Sequence, residues 1–135
     1  MSDVKRLEPL TGWITYELAE TEYLAEPRLS VRLRLLDGLE AADELLKTGM
    51  SEPLAARALA LMAVVEWDLT EVGKPIPVNA ETKAIFLRPL LSDVVKPTQA
   101  EIEKATAEKK KPIGTPLAFA IANDAQNRKL FLKNL

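Results

Sequence analysis

Histidine and cysteine are both absent from the 135 residues. Without cysteine there can be no disulfide, no iron–sulfur cluster and no thiolate-held zinc. Without histidine there is no Ser-His-Asp or Cys-His relay. Glycine occurs only five times, which leaves little material for phosphate cradles, and no Walker A loop, glycine-rich dinucleotide turn or GxSxG elbow is found. Long apolar runs are missing too. A bilayer-spanning helix needs about 20 predominantly apolar residues, whereas the longest candidate, Leu54 to Val65, is interrupted by Arg57. No apolar stretch follows Met1-Ser2-Asp3-Val4-Lys5-Arg6, so no secretory leader is expected. These absences point to a cytoplasmic protein without a membrane partner.

What is present suits a packed domain with an extension. Apolar residues make up 47% and charged residues 28% of the chain, enough to bury a core and remain in solution. The net charge of −2 supplies no whole-chain attraction for nucleic acid. Its distribution is uneven: residues 1–95 are acidic and residues 96–135 basic. The change falls at Lys96-Pro97-Thr98, where Pro97 disfavours helix at the residue before it. The expected organisation is a globular domain over 1–95 and a basic spacer with a C-terminal binding helix over 96–135.

Two segments alternate with a period of two, as half-buried strands do. Ile14, Tyr16 and Leu18 share one face, as do Leu29, Val31, Leu33 and Leu35. Glu26-Pro27 between them suggests an antiparallel hairpin. Asp37 can cap a helix whose apolar side is Leu39, Ala42, Leu45 and Leu46, stopped at Thr48-Gly49. Ser51-Glu52-Pro53 opens a second helix, apolar nearly all round from Leu54 to Val65, and expected at the centre of the domain or in an oligomer contact. Gly73 suits a turn, and Pro75-Ile76-Pro77-Val78 an extended arm. Asn79 caps a segment that Pro89 should split into two short helices. Thr98 caps a solvated helix or spacer ending at Lys109-Lys110-Lys111-Pro112. Thr115 caps a final helix. The predicted fold class is α+β, mostly helical, with a short N-terminal β-hairpin packed on a helical bundle.

Candidate chemistry is thin. The acidic groups Glu20, Glu22, Glu26 and Glu40, Asp43, Glu44 read as solvated surface rather than paired catalytic carboxylates. The Asp68 to Glu71 stretch is too short for a calcium loop. The lysine run has no interleaved aromatic for base stacking and reads as a self-repelling linker. Arg32 and Arg34 share a strand face and are expected to pair with acids or to blunt a sheet edge. Trp13 and Trp67 are expected to close the core, the Trp67 indole finding a partner near the surface. No catalytic residue, metal, cofactor or small-molecule substrate is expected.

The C-terminal helix carries most of the remaining information. Leu117, Phe119, Ile121, Leu130 and Phe131 lie beyond a charged spacer and need a partner. The helix can fold back on its own domain or insert into a groove on another chain. The spacer is long enough for both. In the second case these five residues are the protein-binding site, and docking onto the next copy would produce self-association.

Val65-Glu66-Trp67-Asp68-Leu69-Thr70 followed by Gly73-Lys74-Pro75-Ile76-Pro77-Val78 resembles a pattern of the tail assembly chaperones of long-tailed bacteriophages. In that family, too, a strand followed by helices tends to precede the pattern, as the stretch from Leu29 to Lys47 suggests. The resemblance covers residues 29–95 and does not extend to the helix from Gly114 onward. It implies a non-enzymatic chaperone or adaptor in the cytoplasm of the bacterial host, binding hydrophobic helical segments of the tape-measure protein and recruiting tail-tube subunits during virion morphogenesis. The alternative is a structural virion protein of the tail or head–tail connector.

Overall fold

The structure, a computed structural model, describes residues 10–19, 24, 26–111 and 114–132. Met1 to Arg6, Glu20, Glu22, Pro112 and Leu135 lie outside the described residues, as does the side chain of Leu132.

The two alternating segments form β1 (Ile14–Glu17) and β2 (Arg28–Leu33), paired antiparallel with Ile14 opposite Val31 and Glu17 opposite Arg28. Leu29, Val31 and Leu33 are fully buried, while Ser30 and Arg32 point to the other face, as period-two geometry requires. The expected hairpin is in fact part of a three-stranded sheet of order β1-β2-β3, closed by β3 (Val64–Trp67). The sequence reading ran helix through Val64 and Val65. Instead the chain leaves the helix after Ala63, whose carbonyl accepts the Arg34 N–H at 2.9 Å. The β-branched Val64 and Val65, with Trp67 two positions on, favour strand, and the open edge of β2 supplies the ladder that holds them there.

Local end signals set the first two helices. Asp37 and Glu40 form a capping box at the start of α1 (Gly38–Lys47), and Ser51 caps α2 (Glu52–Ala63) through the Leu54 N–H. The turn between them is a Schellman motif: Met50 N–H donates to Leu45 O at 2.7 Å and Gly49 N–H to Leu46 O at 3.1 Å. The chain therefore doubles back and α1 lies on α2. As expected, α2 is central, burying Ala55, Ala56, Leu59, Ala60 and Ala63.

After β3 a tight hairpin joins β4 (Thr70–Glu71) to β5 (Lys74–Pro75). Its corner residues Val72 and Gly73 both have positive φ, 51° and 76°, the signature of a type I′ turn. Asn79 caps α3 (Ala80–Thr82). The chain then widens into a π-helical turn at Lys83–Leu87 and tightens into 3₁₀ helix at Arg88–Ser92. Pro89 lacks the N–H that would continue a regular helix, and its ring crowds the preceding turn. The expected split at Pro89 is thus a change of helix type.

The division at residue 96 does not correspond to two structural units. Strand β6 (Val94–Val95) pairs with β7 (Thr115–Pro116), and α5 (Leu117–Ala125) packs along α2 in the main core. Gly114 makes this return possible. A Cβ there would collide with the Val94 side chain and the Val95 carbonyl, so only glycine lets β7 seat against β6. Thr115 accordingly serves as a strand residue, and Pro116 takes the position before α5. Helix α4 (Gln99–Ala107), capped by Thr98, has no buried residue. After a break at Gln126–Arg128 the short α6 (Lys129–Leu132) follows.

Candidate interaction surface

The five predicted contact residues are divided by the structure. Leu117 and Ile121 are fully buried and Phe131 is 2% exposed; Phe119 and Leu130 are partly buried against the same core. Of the two fates left open for this helix, the structure holds the fold-back. Ala118, Ala122 and Ala125 on α5 and Ala56, Ala60 and Ala63 on α2 are all buried, and such small side chains let two helices approach closely. Leu117, Ile121 and Phe131 therefore offer no free surface.

One polar bond ties α5 to the sheet. Tyr16 Oη donates to Asp124 Oδ2 at 2.6 Å. Burial pushes the tyrosine well above its ordinary range, and the hydrogen bond and charge of Asp124 add to the shift. Burial also raises Asp124, against the opposing pull of the bond from Tyr16. The bond is thus a phenol that keeps its proton, donating to a partly desolvated carboxyl group. The bond lines a cavity of about 570 Å³ shared with Thr15, Lys96, Thr98, Glu101 and Asn123.

The residues that carry the phage-chaperone resemblance are scaffold. Trp67 is 7% exposed, and its indole N–H donates to Ile76 O at 2.7 Å, the surface partner expected for it. Asp68 Oδ1 accepts the Ser30 N–H at 3.0 Å. Leu69 is buried and its carbonyl accepts from Ile76. Each holds the β3 exit and the proline arm against the body. Trp13, in contrast to the expectation, is 55% exposed. It immediately precedes β1, and Ile14, Tyr16 and Leu18 take the inward positions. Arg32 and Arg34 do pair with acids, Glu66 at 3.2 Å and Glu40 at 2.9 Å.

A different set of apolar residues faces solvent. No residue of α1 is buried. Leu39 is 78% exposed, Leu46 68%, Met50 62% and Leu54 52%. The sequence placed Leu39, Ala42, Leu45 and Leu46 together on an inward side. Instead Ala41 packs inward and Leu45 is half-buried, while Leu39, Ala42 and Leu46, spaced three and four apart, form an outward stripe. Met50, in the α1–α2 turn, and Leu54, in the first turn of α2, are exposed as well. Met50 has a φ of 66°, a left-handed conformation that is unfavourable for a side chain of this kind. The signal in the sequence was a doubled apolar stripe on a helix that needs only one.

Among the described residues no three acidic side chains gather to hold a metal ion, and no helix is long and apolar enough to cross a membrane. Lys109, Lys110 and Lys111 are exposed, with one ion pair of 3.7 Å from Lys110 to Glu108. Comparison of the chain with protein-family models, curated proteins and solved structures gave no match.

Proposed function

We propose that the protein is a non-enzymatic assembly adaptor that holds an apolar helical segment of another protein on the corner formed by α1 and the start of α2. The observation that carries this reading is the exposure of Leu39, Leu46, Met50 and Leu54. Single exposed leucines are ordinary, but several large apolar side chains exposed on one helix and the turn that follows it suit a docking face, and helix-on-helix contact is how such faces are covered. The resemblance of residues 29–95 to phage tail assembly chaperones supports the same class. In that setting the partners are the tape-measure protein and tail-tube subunits, and the place is the host cytoplasm. The contact residues move from the C-terminal helix to α1.

The test is titration of the full chain against a labelled amphipathic helical peptide, with unfolding followed in parallel. Leu39→Glu combined with Leu46→Glu is expected to weaken binding by about tenfold or more, with the unfolding midpoint unchanged. A double variant that binds as the wild type does sinks the reading.

A further inference from the structure

A second cavity, of about 570 Å³, lies beside β3 and beneath the π-helical turn. Its volume is in the range of roughly 300–1,000 Å³ usual for small-ligand sites. Leu61, Met62, Val64, Val65, Val78 and Ala84 make most of its wall apolar. The charged side chains among its lining residues are Lys83 and Arg88, and none of the lining residues is acidic.

The π turn is what sets both cations along this cavity. Arg88 N–H donates to the carbonyl of Lys83, five residues back. In a regular helix of 3.6 residues per turn, positions five apart point about 140° away from each other. A turn closed by an i→i+5 bond brings them round to one side, and such turns recur at functional sites. Lys83 is half-buried, and Nζ donates to Leu61 O at 2.6 Å, which fixes the ammonium at the wall. No acid neutralises it among the described residues. Arg34, which reaches the Met62 carbonyl at 3.2 Å, is already engaged by Glu40. Desolvation, and then the Arg34 charge, lower the pKa of Lys83, as expected for a cation lacking a counter-ion. Arg88 is exposed at the rim and makes no ion pair among the described residues.

From an apolar wall with two unneutralised cations on one side, the geometry points to a binding site for an apolar chain ending in a carboxylate, the carboxylate held by Lys83 and Arg88 and the chain laid against Val64, Val65 and Ala84. The same chemistry is offered by a free aliphatic acid and by the C-terminal end of an apolar peptide. The site is separate from the α1 corner, so it stands or falls independently of the adaptor reading.

The experiment titrates the full chain by calorimetry with four probes: decanoate, decanol, and an N-acetylated Ala-Val-Leu tripeptide as its free acid and as its amide. The expected result is binding of at least one acid, with its uncharged counterpart weaker by about tenfold or more. Decanoate and the tripeptide acid separate the two sources. Arg88→Gln, at an exposed position, should weaken the bound acid several-fold, and Ala84→Phe should abolish binding by filling the cavity. Both variants should unfold at the wild-type midpoint. Lys83→Met is a less direct probe, because it also strips the Leu61 carbonyl of its donor. Failure of both acids to bind, equal binding of the uncharged probes, or binding indifferent to Arg88→Gln and Ala84→Phe would each overturn the site.

Discussion

Helices α1 and α5 both carry apolar faces, and the two faces meet opposite fates. On α5, Leu117 and Ile121 are fully buried, Ala118, Ala122 and Ala125 are buried too, and the helix packs along α2. On α1 no residue is buried, and Leu39 and Leu46 face water. The sequence left the C-terminal helix to fold back or to be displayed, and read an ordinary apolar-sided helix after Asp37. The difference teaches that apolar spacing reports that a face wants cover and does not report which chain supplies it. For α5 the cover comes from the chain itself, because β6–β7 pairing and Gly114 return the helix to the body. For α1 the core is already filled by α2, α5 and the sheet, and Leu39, Ala42 and Leu46 remain outside.

The sharpest way to break this comparison is to remove α5. Truncation after Lys111 deletes Leu117, Ile121, Phe131 and three buried alanines. Domains of this size are stable by roughly 5–15 kcal/mol, and single large-to-small core changes cost about 2–5 kcal/mol each. The truncated chain is therefore expected to lose its cooperative urea transition. Ile121→Ala in the full chain should lower stability by about 2–5 kcal/mol, whereas Leu39→Ala should stay within about 0.5 kcal/mol of wild type. A truncated chain with a cooperative transition and dispersed amide resonances would mean that α5 is an accessory after all.

A smaller effect should appear at the bond between α5 and the sheet. Tyr16→Phe removes the donor to Asp124 Oδ2, and hydrogen bonds to charged groups contribute about 1.5–3 kcal/mol. The loss should depend on pH with a definite sign. Asp124 is raised by burial above its ordinary 3.8, so the native state holds its proton more tightly than the unfolded chain does. Its contribution to stability therefore falls as pH rises from about 3.8 through the raised native value. Without Tyr16 the carboxylate loses the bond that favours its charged form, so the variant should be penalised more at neutral pH than in acid. Tyr16 itself, also raised, should make the wild type less stable as pH climbs above about 10. Urea titrations of both proteins across this range provide the check. An equal loss at acid and neutral pH would show that the bond does not sense the charge of Asp124.

The legible parts of the fold are those whose causes lie within a few residues. Asp37, Ser51, Asn79 and Thr98 all cap helices as read, because a cap needs only the N–H groups two or three positions on. Alternation marked β1 and β2 for the same reason. Strand β3 was not legible, since Val64 and Val65 continue an apolar helix by composition and become strand only when β2 offers its edge. The cationic cavity was hidden for a related reason. Lys83 and Arg88 are five apart, a spacing that shares no face of a regular helix, and only the widened turn sets both along the cavity. Met50 was invisible as a surface residue because nothing in its sequence context announces a positive φ beyond the neighbouring Gly49.

Met50 supplies the smallest test and the one that separates function from folding most directly. Its φ of 66° is a conformation that glycine adopts freely and that costs other residues about 1–2 kcal/mol. The side chain receives no compensating burial, being 62% exposed. Glycine at C″ would also keep both backbone bonds of the Schellman motif, from Met50 N–H and Gly49 N–H. On folding alone, Met50→Gly should therefore stabilise the protein by up to about 1 kcal/mol, the relief being offset in part by the greater freedom of glycine in the unfolded chain. If α1 and the corner form a docking face, the same change should weaken binding of the helical peptide, since a flexible thioether is well suited to an adaptable apolar contact. Stability up with affinity down identifies Met50 as a residue kept strained for contact. Stability up with affinity unchanged would confine the docking face to Leu39, Leu46 and Leu54.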